Sequence, residues 1–240
     1  MKVTSFFAIL FASVLAMSFS ACSDDDAQPE PKLLKISLSE NTMILTHNDI
    51  AQLSVNEDVK VTWTSLNPFV ATVDDNGLVI GNFVGSTVIE AKTADGLSDV
   101  CLVSVLPVYY TYDEPYIEWG KSKDDVLAGQ DFATSCSSDG TEVSCNQGTG
   151  KYWSARYLID PDKGLYYAEL QINSIYEDEI HKFLGERYLY IGNKDGARYY
   201  VHGLSAESFD YSVLCYRVKH YSKTYIAVSY TSGDYIRSVN

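Results

Sequence analysis

Seven short runs of alternating apolar and polar residues follow one another between residues 35 and 105, with turn residues between them. Side chains along a strand point alternately to its two faces, so each run predicts a strand with one buried face. Many short strands at close spacing are typical of an antiparallel sandwich. The runs are KISLS, AQLSV, VTW, VATV, GLVIG, TVIEA and CLVSV. We therefore predict an all-β sandwich over residues 33–106.

One turn in this region carries a specific signal. Asp75-Asn76-Gly77 separates two of the runs and predicts a tight hairpin, because Asn-Gly tolerates the positive φ that such turns need. The surrounding segment, VTWTSLNPFVATVDDNGLVIGNFVGSTVIEAKTADGLSDVCLVSV, strongly resembles the bacterial immunoglobulin-like group 2 family. The resemblance implies an immunoglobulin-like sandwich with Trp63, Val70 and Val73 in its core. It also implies a spacer role, since such domains often serve as stalks in surface proteins, with ligand contact as the alternative.

The N-terminal segment has the features of an export signal. Lys2 is the only charge before Asp24, residues 6–17 are almost wholly apolar, and small residues precede Cys22. The apolar run is shorter than the ~20 residues that a membrane-spanning helix needs. The segment resembles a bacterial lipoprotein signal, which implies a signal peptide over residues 1–21 and a lipid on Cys22. The alternative is an ordinary secreted protein with a cysteine at this position by chance.

Three aspartates follow this cysteine almost directly. The sequence CSDDD resembles the surface-export tag of lipoproteins in one phylum of Gram-negative anaerobes. That resemblance implies a protein anchored by its lipid in the outer membrane and facing the cell exterior. The run is also typical of a solvated acidic linker, and the two roles are compatible. Because residues 22–32 are polar and contain proline, we predict a disordered tether there.

The composition changes sharply after the sandwich. All 19 tyrosines lie at or after Tyr109, which predicts a second domain over residues 107–240. Capping-box patterns at Ser122 and Ser174 predict two helices, and Gly129 and Gly185 mark their ends. The formal net charge of the chain is −14 at pH 7, and lysine and arginine are not clustered. We therefore expect no nucleic-acid partner.

The second domain contains a candidate internal repeat. The two glycines that end the helices stand as far apart as the two Asp-Gly turns at Asp139 and Asp195, and four predicted strands follow each helix. We predict an α+β domain built from two helix-plus-four-strand repeats, about residues 115–173 and 174–232, with coincidence as the alternative. This order of elements is similar to that of the beta-lactamase inhibitory protein. Together with the EPYIEW opening, it also resembles uncharacterised surface lipoproteins of the same bacterial group.

The sequence offers few groups for catalysis. The histidines lack the spacing that places two metal ligands on one helix, and neither a G-x-S-x-G elbow nor a phosphate-binding glycine loop occurs. Asp160-Pro-Asp162 has too few acidic residues for a calcium loop. Glu118 and Glu169 are the only acids in aromatic, strand-like surroundings, and either could simply face solvent. We predict a non-catalytic protein with no metal and no cofactor.

Four cysteines remain besides the one predicted to carry lipid. Cys136 and Cys145 flank the Asp139-Gly140 turn on strands that should pair. A four-residue loop would place them opposite each other, close enough for a disulfide, whereas a two-residue loop would leave them on opposite faces. We favour the disulfide. Cys101 and Cys215 lie in apolar strands and are predicted to be buried free thiols.

Tyrosine pairs give the best indication of a binding surface. Tyr166-Tyr167 and Tyr199-Tyr200 lie in predicted strands, where one ring of each pair should face outward. Tyrosine is common at binding surfaces because it combines an apolar ring with a polar end. We therefore predict an exposed aromatic patch formed by these residues. The overall prediction is a surface binding or adhesion protein with a glycan or protein ligand. The alternatives are a glycan-binding accessory of polysaccharide uptake and an inhibitor or receptor of a protein partner.

Overall fold

The structure is a computed structural model that describes residues 35–130, 135–146 and 151–239. The predicted signal peptide, Cys22 and the acidic tether lie outside the described residues. The described chain is predominantly β, with a sandwich formed before residue 106 and a second domain after it. We call these parts the N-terminal sandwich and the C-terminal domain.

The N-terminal sandwich consists of two facing sheets. One sheet has the order β1-β7-β6-β3 and the other the order β2-β5-β4, with β1 and β7 parallel and the other neighbours antiparallel. The strands are β1 Thr42–Leu45, β2 Ile50–Gln52, β3 Val61–Ser65, β4 Ala71–Val73, β5 Leu78–Gly81, β6 Gly85–Thr93 and β7 Ser98–Val105.

The predicted turn and core residues lie where the sequence places them. Gly77 has φ +80° in the β4–β5 turn, and a Cβ there would lie 2.4 Å from the carbonyl oxygen of Leu53. Val70 is buried, and Trp63 and Val73 pack against the buried core from partly exposed positions. A side chain at position 77 is thus excluded both by backbone conformation and by space.

The first predicted strand is wrong. The KISLS segment forms only an isolated bridge between Leu38 and Val55, and the strand lies instead at Thr42–Leu45. The amide of Ser37 donates to the Glu57 carboxylate (2.9 Å), and the amide of Leu38 donates to the Asp99 carboxylate (2.8 Å). Side chains thus satisfy backbone donors that a strand would pair with its neighbour, while Leu38 is still buried.

The C-terminal domain is built on one eight-stranded antiparallel sheet, in the order β12-β13-β14-β15-β11-β10-β9-β8. Its strands are β8 Ser135–Ser138, β9 Glu142–Asn146, β10 Tyr152–Asp160, β11 Gly164–Asn173, β12 Leu189–Lys194, β13 Ala197–Gly203, β14 Phe209–His220 and β15 Lys223–Ser232. Its helices are α1 Lys123–Gly129, α2 Glu177–Gly185 and α3 Gly233–Val239. The two-repeat interpretation of this domain stays a prediction.

The helix starts differ in how closely they follow the sequence signals. Ser122 caps α1 with both hydrogen bonds of a capping box, to and from Asp125. At the second site, residues 174–176 form a 3-10 turn capped by Asn173, and α2 begins only at Glu177. The capping box predicted at Ser174 is therefore wrong, because the preceding asparagine supplies the cap. Helix α3 was not predicted.

The helices α1 and α2 cover one face of the sheet. Val126 of α1 and Ile180, Phe183 and Leu184 of α2 are buried in one cluster with strand residues such as Leu170. Side chains on the opposite face of the central strands contact one another instead, and we call this surface the open face. None of the described helices is long and apolar enough to cross a membrane.

The two domains meet at a polar and aromatic junction. The carboxylate of Glu186, just after α2, accepts hydrogen bonds from the amides of Val108 (2.9 Å) and Tyr109 (3.0 Å) and pairs with Arg187. The backbone carbonyl of Glu186 accepts from the amide of Val84 in the N-terminal sandwich (2.9 Å). We call these contacts the interdomain junction. They fix the connection between the domains at both backbone and side-chain level.

Candidate functional site

The structure does not bring the four predicted tyrosines together. Tyr166 and Tyr167 lie on β11, whereas Tyr199 and Tyr200 lie on β13, and two strands separate these in the sheet. Tyr200 is only 2% exposed, because it pairs with buried Val213 and faces the helices. The prediction of one patch formed by the two pairs is therefore corrected, although one ring of the 199–200 pair does face inward as strand alternation requires. Tyr167 and Tyr199 remain on the open face.

The centre of the open face is a carboxylate held by two tyrosines. Glu169 on β11 is 7% exposed. Its Oε2 accepts hydrogen bonds from the hydroxyls of Tyr167 (2.7 Å) and Tyr216 (2.6 Å), and its Oε1 accepts from Nε2 of Gln171 (3.0 Å). Tyr167, Glu169 and Gln171 alternate along one strand, so they share one face. Three donors therefore fix this buried carboxylate in place.

An ion pair lies beside this carboxylate. Arg156 on β10 is directly opposite Glu169 in the strand register. Its guanidinium donates to the Glu142 carboxylate on β9 (2.9 Å), and the Ser144 hydroxyl donates to the same carboxylate (2.6 Å). The hydrogen bond from Arg156 lowers the pKa of the Glu142 carboxyl. Polar groups thus continue across three neighbouring strands of the open face.

Aromatic rings lie near the β14–β15 turn. The Trp153 ring centroid is 5.3 Å from that of Tyr225 and 6.4 Å from that of His220. The register places Tyr225 opposite Asn173, on the same side of β11 as the central carboxylate. The open face therefore combines aromatic rings with hydrogen-bonding groups, a composition typical of protein surfaces that bind ligands.

The tyrosine hydroxyls of the open face act as donors. Burial, and next the neighbouring Glu169, raise the pKa of Tyr216 to about 12 and raise the pKa of Tyr167 as well. Both hydroxyls therefore stay protonated at neutral pH. Each hydroxyl donates its single proton to the central carboxylate, so towards a ligand its oxygen can only accept a hydrogen bond, and neither hydroxyl is a general base in this range.

A cleft on the helix-covered side contains a cysteine next to a histidine. Cys215 Sγ lies 3.8 Å from His181 Nδ1, in a cleft of about 640 Å³ that Arg198 also lines. Burial raises the pKa of the Cys215 thiol to about 12 and lowers the pKa of His181. A nucleophilic cysteine needs a lowered thiol pKa, because its surroundings must stabilise the thiolate. We therefore assign this pair to packing.

A carboxyl among tyrosines was missed by the sequence interpretation. Glu114 accepts hydrogen bonds from the hydroxyls of Tyr188 and Tyr230 (3.4 Å for Tyr230), and the Tyr230 hydroxyl lies 2.7 Å from that of Tyr112. Burial raises the pKa of Glu114 above its usual value. The only local signal is an acidic residue in an aromatic segment, since its partners are far away in the sequence.

The remaining sequence-predicted residues are cysteines. The loop between Ser138 and Val143 has four residues, so Cys136 lies directly opposite Cys145, and a disulfide joins them. Cys101 and Cys215 are free and buried. Within the three described ranges, no group of three or more His, Cys, Asp or Glu side chains is arranged to hold a metal ion.

Comparison with known proteins assigns the first domain. Residues 38–103 match the family model of the bacterial Ig-like domain (group 2). The N-terminal sandwich is an Ig-like domain. The match agrees with the two facing sheets and with the hairpin at Gly77. The Ig-like domain accounts for the part of the chain before the tyrosine-rich domain.

Two individual proteins share similarity with parts of the chain. One is an A type blood N-acetyl-alpha-D-galactosamine deacetylase from Flavonifractor plautii, 36% identical over 97 residues. The match covers 37% of this chain and only 13% of the length of that curated relative. The other is a crystal structure of an intimin mutant from EHEC O157:H7, with 23% identity, a TM-score of 0.26, and coverage of 31% of this chain and 48% of that one. Neither similarity assigns an activity to this chain.

Proposed function

We propose that this protein is a non-catalytic, surface-anchored binding protein in which the Ig-like domain carries a C-terminal binding domain, residues 107–240. The open face of the C-terminal sheet is the binding surface. A single observation supports this choice most strongly. Glu169, Tyr167, Tyr216 and Arg156 are placed together on the side that α1 and α2 do not cover.

The proposed anchor is a lipid on Cys22. Cleavage of the signal peptide after residue 21 would leave this cysteine at the N terminus, and residues 22–32 would connect the lipid to the Ig-like domain. The acidic run Asp24–Asp26 would direct the protein to the outer face of the outer membrane, where its role is adhesion or ligand capture. Replacing Cys22 with serine should release the protein from the membrane fraction, which fractionation and immunoblotting would detect.

The order of elements is consistent with a duplicated C-terminal domain. Helix α1 precedes strands β8 to β11, and α2 precedes strands β12 to β15. We propose that residues 115–173 and 174–232 are copies of one helix-plus-four-strand unit. Joining two such units into a single sheet would place the last strand of each unit, β11 and β15, side by side at its centre, as they lie here.

The proposed ligand is a glycan or a protein on another surface, and no cofactor takes part. A glycan-binding role in polysaccharide uptake is favoured by the mixture of rings and hydrogen-bonding groups on the open face. An inhibitor or receptor role towards a protein is the other candidate. The absence of catalysis is a proposal, and it is supported for the Cys215 thiol and the Tyr216 hydroxyl, whose raised pKa values keep them from acting as nucleophile or base at neutral pH.

The test is a binding screen of the whole chain carrying Cys22→Ser, on a glycan array, in polysaccharide-retardation gels and in pull-downs of surface proteins. Arg156→Ala and Tyr216→Phe should weaken the binding that the unmodified face supports, because the first removes a donor and the second removes a hydroxyl that holds Glu169 in place. Tyr110→Phe is the matched control, since it removes a tyrosine hydroxyl from an exposed residue, 75% accessible, outside the sheet.

Each outcome of the screen bears on one part of the proposal. Binding that is weakened by Arg156→Ala but not by the control would support the open face as the binding surface. Binding that is unchanged in both Arg156→Ala and Tyr216→Phe would show that the binding site lies outside the open face. No binding to any glycan or surface protein would overturn the proposed function.

A further inference from the structure

A second candidate site lies apart from the open face, where the β10–β11 turn meets α3. A cleft of about 340 Å³ is lined by Trp119, Tyr166 and Tyr235 together with Lys163 and Asp234. This volume lies at the small end of the ~300–1,000 Å³ typical of ligand pockets. A cleft of this volume can hold a small ligand with a single ring.

Two of the lining rings form a stacked pair. The ring centroids of Tyr166 on β11 and Tyr235 on α3 are 3.8 Å apart, with an angle of 16° between the ring planes. Each ring restricts the movement of the other, so the aromatic wall is largely formed before a ligand arrives. A wall of this kind reduces the ordering cost of binding.

The two sides of the cleft are also fixed by backbone contacts. The amide of Gly120 donates to the carbonyl of Leu165 (2.9 Å), and the amide of Leu165 donates to the carbonyl of Lys121 (2.8 Å). Gly164 has φ +76°, and a Cβ there would lie 2.2 Å from the carbonyl oxygen of Gly120. On the other side, the Arg237 guanidinium ties α3 to the carbonyl of Phe209 (3.1 Å).

The polar groups of the cleft carry opposite charges. The Lys163 ammonium donates to the Ser238 hydroxyl (2.8 Å), and the Asp234 carboxylate accepts from Arg237 (2.8 Å). An ammonium has three donors and a carboxylate has about four acceptor sites, so both retain capacity for a ligand. Donors and acceptors of opposite charge favour a neutral ligand with hydroxyl groups over an anion or a cation.

We propose that this cleft binds a single neutral sugar ring. The C–H face of a sugar is apolar and packs on aromatic rings, while its hydroxyls both donate and accept hydrogen bonds. The stacked tyrosines and Trp119 would contact the ring face. Lys163 and Asp234 would bond the hydroxyls. The proposal goes beyond the open face and does not depend on it.

The experiment is ligand-observed saturation-transfer NMR on the whole chain carrying Cys22→Ser, with a panel of neutral monosaccharides that includes hexoses and N-acetylhexosamines. We expect saturation transfer to the ring protons of at least one sugar. Tyr235→Ala should weaken that binding about tenfold, because it removes one ring of the stacked pair. Tyr235→Phe keeps the ring and should retain binding within about threefold.

Two controls separate this site from the open face. Tyr110→Ala removes an exposed ring outside the cleft and should leave sugar binding unchanged, whereas Arg156→Ala shows whether the sugar binds at the open face instead. Unfolding curves of each variant show whether a loss of binding reflects a loss of structure. The proposal is overturned if no sugar in the panel receives saturation, or if folded Tyr235→Ala binds as tightly as the unaltered chain. Loss of sugar binding in Arg156→Ala alone would assign the sugar to the open face.

Discussion

Glu114 is partly exposed, and its carboxyl lies against the tyrosine hydroxyls of the C-terminal domain. Burial has the largest effect on its carboxyl and raises its pKa above the ordinary value of 4.5, although the hydroxyl of Tyr188 acts in the other direction. The folded protein therefore binds this proton more tightly than the unfolded chain does. The stabilisation is fully present below about pH 4.5 and is lost as the pH rises through the folded pKa.

This pKa shift predicts a specific effect of Glu114→Gln. The amide cannot ionise, so the free energy of unfolding should fall less between about pH 5 and about pH 7 in the variant than in the unaltered chain. Urea unfolding followed by tryptophan fluorescence at several pH values measures this. Glu118→Gln is the matched control, because Glu118 lies four residues away with a 65% exposed side chain. Identical pH dependence in both variants would contradict the predicted shift.

Local sequence patterns could predict some residues and not others. The sequence predicted Gly77 and Ser122 in their roles because the determining partners lie within a few residues. Strand alternation required one tyrosine of the 199–200 pair to face inward, but which one depends on the register with β14. The partners of Glu114, Tyr188 and Tyr230, lie far away in the sequence, so its surroundings depend on tertiary structure.

The β8–β9 hairpin is the element at one end of the eight-stranded sheet, and a disulfide closes it. Cys136 on β8 and Cys145 on β9 are nine residues apart in sequence. Cross-linking a loop of this size is expected to stabilise a fold by about 2–3 kcal/mol, chiefly by restricting the unfolded chain. Strand β8 is an edge strand of the sheet, and it pairs with β9 alone among the described strands.

Replacing both cysteines with serine should therefore lower the free energy of unfolding by about 2–3 kcal/mol. Amide hydrogen exchange should increase in β8 more than in the central strands β11 and β15. The comparison is with the unaltered chain after reduction, which should show the same increase. Exchange that rises equally in all strands would indicate that the disulfide stabilises the sheet as a whole.

Two elements show why the fold was only partly predictable. The observed β1 lies several residues after the predicted strand, because Glu57 and Asp99 bond the backbone of the earlier segment. Helix α3 has only seven residues and is held by contacts with β14, such as Gly233 against the Asp210 carbonyl. The position of β1 and the presence of α3 are not determined by hydrophobic periodicity. That periodicity is the main sequence signal for helices and strands.

At the scale of the whole molecule, the interdomain junction connects the two domains. Glu186 is 3% exposed, and its carboxylate holds two backbone amides and an arginine. Next to it, the ring centroids of Phe69 in the Ig-like domain and His202 in the C-terminal domain lie 4.4 Å apart, and His202 stacks on Tyr211 at 4.8 Å. From these contacts we expect the two domains to unfold together.

Glu186→Ala should destabilise the protein by about 3–5 kcal/mol, because it leaves Arg187 and two amides without their partner. Scanning calorimetry should show one transition in the unaltered chain and one at lower temperature in the variant, because the hydrogen bond from the Val84 amide to the backbone carbonyl of residue 186 does not depend on the side chain. Glu207→Ala, an exposed residue, is the control and should keep the transition temperature of the unaltered chain. An unchanged transition temperature in Glu186→Ala would contradict the predicted role of the carboxylate, and two separate transitions would show that the carboxylate also couples the domains.

The parallel pairing of β1 with β7 has a mechanical consequence for the Ig-like domain. Tension that enters near residue 35 and leaves near residue 106 pulls these two strands lengthwise in opposite directions. The hydrogen bonds between them, from the Leu102 amide to the Asn41 carbonyl at one end to the Leu106 amide and the Leu45 carbonyl at the other, then carry the load at the same time. Bonds loaded in shear break together rather than one after another, so the Ig-like domain would resist extension under flow.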